Sequence, residues 1–209
     1  MSTLPARPRI GFLASHNGSA MRAIVKVARD GFLPVEPVLL ISNNADSSAL
    51  AWARDNKLVC AHISAKSAGS EDAADAAIAA KLRVNRVDLV VLAGYMRKLG
   101  PKVLAAYQRR ILNVHPALLP KFGGQGMYGT RVHEAVIAAK ETQSGVTIHL
   151  VDEVYDHGAV VAQATVPVSP DDTAETLAQR VQSEERLLYA ETLRRIVARE
   201  IDLDKLAAS

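Results

Sequence analysis

Cysteine is almost missing from this chain: Cys60 is the single one in 209 residues. No internal disulfide can form, and no Cys-rich metal framework can be built. Set in the apolar run Leu58-Val59-Cys60-Ala61, it is expected to be a buried structural thiol in a reducing compartment. No Lys or Arg run is long enough to mark a nucleic-acid surface, because the 25 basic and 22 acidic residues are interspersed. No stretch approaches the roughly 20 apolar residues of a membrane span. Met1 to Pro8, with Pro5 and Pro8, has no apolar core of the length a secretory leader needs. Repeats, low-complexity segments and a convincing linker are also missing. A cytoplasmic protein with no nucleic-acid or membrane partner is expected, and its net charge of +3 suits an anionic small molecule.

With 49% hydrophobic and 22% charged residues, the composition is that of a globular protein, and the length suits one domain. Residues 9–15 read as a buried strand, followed by the polar turn His16-Asn17-Gly18-Ser19 and a helical stripe of Met21, Ile24, Val25 and Val27. The alternation continues with strand 35–41, helix 47–56, strand 59–63, helix 71–83 and strand 87–93. A short helix after Pro101 leads to strand 111–114, then a glycine-rich loop over 121–129 that is expected to be mobile. Helix 131–140, strands 145–151 and 159–168, and a helix opening at 169–173 and running to about Glu200 complete the chain. Strand 145–151 alternates, with Val146, Ile148 and Leu150 on one face and Thr147 and His149 on the other. The fold class is α/β: an open, mostly parallel, twisted sheet of about seven strands with helices on both faces.

Four segments carry candidate chemistry. Asn113 and His115 stand two apart in an extended run closed by Pro116 and Pro120, so amide and imidazole point the same way. Together they suit acyl-type transfer, in which the Asn donates to a developing oxyanion and the His moves a proton; the alternative is a strand-end Asn beside a hydrogen-bonded core His. Asn17, Gly18 and Ser19 form either an anion cradle at a helix start or an ordinary polar turn. Neither GxGxxG nor GxxxxGK[ST] is present. Asp152 to Gly158, three acids and a His, is either a solvated hairpin turn or part of a site. Gln182 and Glu185 share one helix face, either solvated or facing a ligand. A metal site from His115, His149, Asp156 and His157 lacks any HExxH or Cys-rich spacing, and none is expected.

Taken in order, these pieces resemble the glycinamide ribonucleotide (phosphoribosylglycinamide) formyltransferases, a folate-dependent family of purine synthesis. The motif that carries the likeness is Asn-x-His-Pro-x-Leu-Leu-Pro, met here by Asn113, His115, Pro116, Leu118, Leu119 and Pro120. Leu92 to Arg97 precedes it and the turn containing Asp156 follows it. The resemblance implies a Rossmann-like formyltransferase fold in one domain, residues 1–100 forming a nucleotide-binding half and 101–209 a catalytic and folate-binding half. It implies transfer of the formyl group of 10-formyltetrahydrofolate to the glycyl amine of phosphoribosylglycinamide, with folate as co-substrate and no metal. Asn113 and a cationic His115 would stabilise the formyl oxygen, and Asp156 would hold the imidazolium. Asn17, Gly18 and Ser19 would hold the substrate phosphate, Gln182 and Glu185 its ribose and phosphate side. Met96, Arg97 and Leu99, with backbone at Val151, Asp152 and Glu153, would line the pterin pocket.

The chain departs from the family pattern at two places. The phosphate turn usually reads Ser-Gly-x-Gly-Ser-Asn, whereas this chain has His16 at the first glycine and Ala20 at the asparagine. After Pro120 the loop differs from the common Pro-Gly-Leu-His, and Met127, Tyr128 and Gly129 become candidate lid residues. Formyltetrahydrofolate hydrolase and methionyl-tRNA formyltransferase share the fold but carry further domains, for which no room is expected here. A non-catalytic folate- or nucleotide-binding module would not need Asn113, His115 and Asp156 together. A homodimer is the oligomeric expectation.

Overall fold

The computed structural model describes residues 4–206; of the Met1–Pro8 stretch, the first three lie outside the described residues, as do the last three of the chain. In chain order the elements are β1 (Arg9–Leu13), α1 (Ser19–Arg29), β2 (Glu36–Ser42), α2 (Ser48–Asp55), β3 (Cys60–His62), α3 (Ala65–Ala68), α4 (Glu71–Val84) and β4 (Leu89–Leu92). They continue with α5 (Pro101–Ala106), β5 (Ile111–His115), α6 (Thr130–Ala138), β6 (Gln143–Leu150), β7 (Val160–Pro167) and α7 (Ala174–Val197). All strands expected from the sequence are present, with ends moved by a residue or two. The one-turn α3, capped reciprocally by Ser64 and Ser67, has no counterpart in the expected pattern.

The seven strands form one sheet in the order β3-β2-β1-β4-β5-β6-β7. Crossover helices make β3, β2, β1, β4 and β5 mutually parallel, while β6 runs antiparallel to β5 and β7 antiparallel to β6. Successive residues of β1 and β2 serve opposite cores: Phe12 and Leu40 pack with Met21, Ile24 and Leu50, while Leu13 and Leu39 pack with Ile78, Leu82 and Val90. Each such side chain contributes about 1.5–3 kcal/mol of apolar burial.

Two expectations change. In β6, Thr147 and His149 are as buried as Val146, Ile148 and Leu150. Packing of α7 covers one face and the segment after β5 covers the other. There Thr147 Oγ1 donates to Ala117 O at 2.7 Å and accepts from Leu119 N at 3.0 Å. Cys60 is only half-buried, because β3 is the edge strand.

Several polar contacts fix strand ends near the future site. Asp75 of α4, buried, accepts from Lys102 N at 2.8 Å and Val103 N at 3.1 Å and so holds the first turn of α5. Tyr189 of α7 is fully buried and donates to Leu112 O at 3.0 Å, one residue before Asn113. Tyr189→Phe leaves that carbonyl without the hydroxyl and is expected to cost about 1–2 kcal/mol. Urea denaturation of the variant reads the loss, and an unchanged midpoint would contradict it. No helix among the described residues is long and apolar enough to cross a membrane.

The strand order reverses at β1 and β4, whose outward neighbours are β2 and β5. In open α/β sheets the crevice beyond the carboxyl ends at such a point is where ligands bind.

Candidate active site

A cavity of about 850 Å³ lies at that crevice. At one end, Asn17, Gly18 and Ser19 line it between β1 and α1. Gly18 takes φ +63°, the left-handed region that the turn requires. The carbonyls of His16, Asn17 and Gly18 are engaged by Ala49 N at 2.9 Å, Arg22 Nε at 3.0 Å and Arg22 N at 3.0 Å. In a trans peptide the N–H opposes the C=O, so engaging these carbonyls turns the N–H groups of Asn17, Gly18 and Ser19 the other way. None of the three donates a hydrogen bond among the described residues. This is an anion cradle in geometry, at the positive end of an 11-residue helix.

At the other end, Asn113 and His115 project from the same face of β5. The antiparallel register sets Asn113 opposite His149 and His115 opposite Thr147. His149 Nδ1 lies 2.8 Å from Leu150 O, a carbonyl that can only accept, so Nδ1 carries the hydrogen. With the hydrogen on Nδ1, Nε2 is left to accept from Asn113 Nδ2 at 3.1 Å, which orients the amide and leaves its second N–H free of this bond.

Asp156 sits between the two histidines, with Oδ2 3.4 Å from His115 Nδ1 and Oδ1 3.5 Å from His149 Nε2. It occupies φ +55°, and Gly124 N donates to its Oδ2 at 2.9 Å. His115 Nε2 donates to Phe122 O at 2.8 Å. His115 and Asp156 are thus both tied to the segment 121–129, which is docked on them.

Charge follows from burial. Burial pushes the pKa of His115 down from 6.5, outweighing the pull of Asp156 and of the Phe122 carbonyl. Burial thus favours the neutral ring in the free protein at pH 7; the cationic His115 that the resemblance implies belongs to the reaction. Asp156 moves down from 3.8: burial opposes this, but the Gly124 N–H and the His149 and His115 rings, which favour the carboxylate when they carry charge, prevail. A neutral imidazole with its bare Nδ1 beside an ionised carboxylate is set up to receive one proton.

Of the residues singled out in the sequence, Asn17, Gly18, Ser19, Met96, Arg97, Asn113, His115, Asp156, Gln182 and Glu185 all line this one cavity. Leu99 does not: it is nearly buried and faces a neighbouring cavity of about 820 Å³ that shares His16, Tyr95 and Arg97 with the first. Val151, Asp152 and Glu153 line neither cavity. Val151 continues the β5 pairing through Ile111 O, and Asp152 turns its carboxylate to Val154 N and His157. Met127, Tyr128 and Gly129 line the same cavity as Asn113 and His115. His149 was weighed from the sequence only as a metal ligand. No group of three or more His, Cys, Asp or Glu among the described residues is arranged to hold a metal ion.

Burial lifts Glu185, on the rim of the cavity, to a pKa of about 7, against 4.5 ordinarily. A carboxyl whose folded pKa is raised lends stability that is complete below about 4.5 and lost as pH rises through about 7. Glu185→Gln is therefore expected to melt above the wild type at pH about 8.5 and level with it at pH about 4. An equal offset at both pH values in thermal unfolding would contradict this.

Comparison with known proteins follows the same lines. A family model described as formyl transferase matches residues 8–193. The chloroplastic phosphoribosylglycinamide formyltransferase of Arabidopsis thaliana is 40% identical over 190 residues, 90% of this chain and 65% of that protein. The Haemophilus influenzae phosphoribosylglycinamide formyltransferase is 35% identical over 181 residues, 87% of this chain and 83% of that protein. The crystal structure of glycinamide ribonucleotide transformylase 1 from Symbiobacterium toebii aligns with a TM-score of 0.89 at 34% identity, covering 97% of this chain and 93% of that one. The chain thus spans just under two thirds of the plant relative, and it spans 14% of the Drosophila melanogaster trifunctional purine biosynthetic protein adenosine-3. Matched by the family model over most of its length, and by the Haemophilus protein over most of both chains, the chain belongs to the formyl transferase family, among the phosphoribosylglycinamide formyltransferases.

Proposed function

We propose that this protein transfers the formyl group of 10-formyltetrahydrofolate to the amine of phosphoribosylglycinamide in purine synthesis. The observation that carries the reading is one cavity with an anion cradle at one end and Asn113, His115 and Asp156 converging at the other, with His149 behind Asn113 and Asp156. A phosphate at Asn17 to Ser19 anchors the acceptor substrate, and Gln182 and Glu185 face its ribose. The acceptor's amine attacks the formyl carbon, a C–N bond forms, and the carbonyl electron pair moves to oxygen. The free N–H of Asn113 meets that oxygen; a donor so placed contributes about 10²–10³ in rate. His115 takes the amine's proton and Asp156 stabilises the imidazolium so formed; the oxygen's electron pair then re-forms the carbonyl as the C–N bond to the folate breaks, and the proton passes through water to the departing folate nitrogen.

Met96 and Arg97 in the catalytic cavity, and Leu99 in the adjoining one, support a folate lying across both. Arg97, Lys66 and Lys98 around the second cavity form no ion pair among the described residues and suit an anionic tail. A cytoplasmic homodimer completes the reading. It is supported by the single cysteine for the compartment, and sedimentation velocity reads the assembly. Incubating purified protein with both substrates and identifying the product by mass spectrometry tests the function. Formylated phosphoribosylglycinamide is expected, and unreacted acceptor after complete loss of the donor would overturn it.

A further inference from the structure

The phosphate turn of this chain has no polar side chain at position 20, where Ala20 is buried in the core, and an exposed His16 at the position before Asn17. Something else must hold its shape. Cradle geometry depends on the Asn17–Gly18 peptide keeping its carbonyl out of the cavity. If that plane turned over, an oxygen would replace an N–H in front of the anion, exchanging attraction for repulsion.

Arg22, one turn into α1, holds that plane. Its Nε donates to Asn17 O at 3.0 Å and its Nη2 to Ser48 O at 3.0 Å, linking the turn to the start of α2. The guanidinium lies 5.7 Å from the centre of the Trp52 ring, which limits its freedom. No carboxylate forms an ion pair with it among the described residues, so its donors are committed to backbone carbonyls. Arg22 lines a groove beside the turn with Asn17, Ser19, Lys26, Arg29 and Arg186, and it does not line the cavity that holds Asn113 and His115. Its contact with the turn is the bond to the Asn17 carbonyl, so its effect on a ligand held on the cavity side passes through that peptide.

We propose that Arg22 is the positioning residue of the phosphate turn, holding the Asn17 carbonyl outward so that the N–H groups of Asn17, Gly18 and Ser19 present to a phosphate monoester. This rests on the cradle holding the substrate phosphate, as in the proposed function. Lys at 22 retains a donor of similar reach, whereas Met retains only bulk.

Isothermal titration of the full-length protein with inorganic phosphate tests this directly, with thermal melting as the control for folding. Arg22→Met is expected to weaken phosphate binding about tenfold, and Arg22→Lys to stay within about threefold of wild type. The ratio of wild type to Arg22→Met should hold between about 0.05 and 0.5 M NaCl, because a fixed peptide plane is not screened as a distant charge is. In the formyl-transfer assay, Arg22→Met should raise KM for the phosphorylated acceptor by the same factor, leaving kcat and the folate KM within about twofold. Equal affinity in Arg22→Met, a difference erased by salt, or no phosphate binding by the wild type would overturn the proposal. So would a joint fall in melting temperature and in affinity for both substrates. Phosphate affinities that follow the expected order in a protein without formyl transfer would sink the proposed function and leave this inference standing.

Discussion

His115→Ala is expected to lower kcat by about 10³, with KM for the phosphorylated acceptor changed by no more than about threefold. General acid–base groups contribute about 10²–10⁴, and this ring is the one in the cavity with a bare nitrogen beside an ionised carboxylate. The anion cradle at Asn17 to Ser19 lies at the other end of the cavity, which is why binding should survive. Removing the ring also leaves the Phe122 carbonyl without its donor, a loss of about 1–3 kcal/mol that would appear in the melting temperature. His115→Gln separates the two effects. Its amide can still donate to Phe122 O but cannot carry the proton, so stability should recover while kcat stays low. The pH profile follows from the same burial. A base with a depressed pKa works above that pKa, so activity should persist below pH 6.5 and fail only as His115 becomes charged. The sign for stability agrees: the neutral buried ring contributes fully above 6.5 and its contribution is lost as pH falls through the lowered value.

Gly158→Ala is expected to destabilise the fold by about 3 kcal/mol and to lower kcat about a hundredfold. A methyl group at Gly158 would fall on the carbonyl oxygen of Leu150 and within 2.8 Å of its carbon. That collision is with backbone and has no flexible side chain to absorb it. Leu150 N donates to Ala159 O at 2.9 Å at the end of the β6–β7 pairing, so relief must open the hairpin there. Asp156, two residues earlier, would move with it, and misplacement by about 1 Å costs about 10² in rate. Gly31→Ala is the control: φ is +81° but nothing lies within 4 Å of the added carbon. Strain there should cost about 1–2 kcal/mol and leave kcat unchanged. Urea titration and steady-state kinetics on both variants read the contrast.

The strands were legible because their apolar runs are short and bounded by polar turns, and Asn113 with His115 was legible because residues two apart share a strand face. His149 was visible on the polar face of β6, yet its role depends on the antiparallel register that sets it opposite Asn113. Two strands 36 residues apart do not announce that register. The neutral state of His115 depends on how deeply the ring is covered, which periodicity does not reveal. Glycines in 121–129 indicated a loop, but only its path shows that Gly124 N–H and Phe122 C=O hold Asp156 and His115. Leu99 and the Val151–Glu153 backbone followed from resemblance alone; Leu99 lies on the neighbouring cavity, and Val151 continues the pairing with β5 through Ile111 O.

Whether the site directs formyl to an amine or merely releases it to water is decided by one measurement. Purified wild-type protein is given 10-formyltetrahydrofolate with and without phosphoribosylglycinamide, and donor consumption and formate release are followed together. Donor loss that accelerates at least about a hundredfold with acceptor, with no matching formate, is the expected result. Formate release at the same rate in both reactions would contradict it.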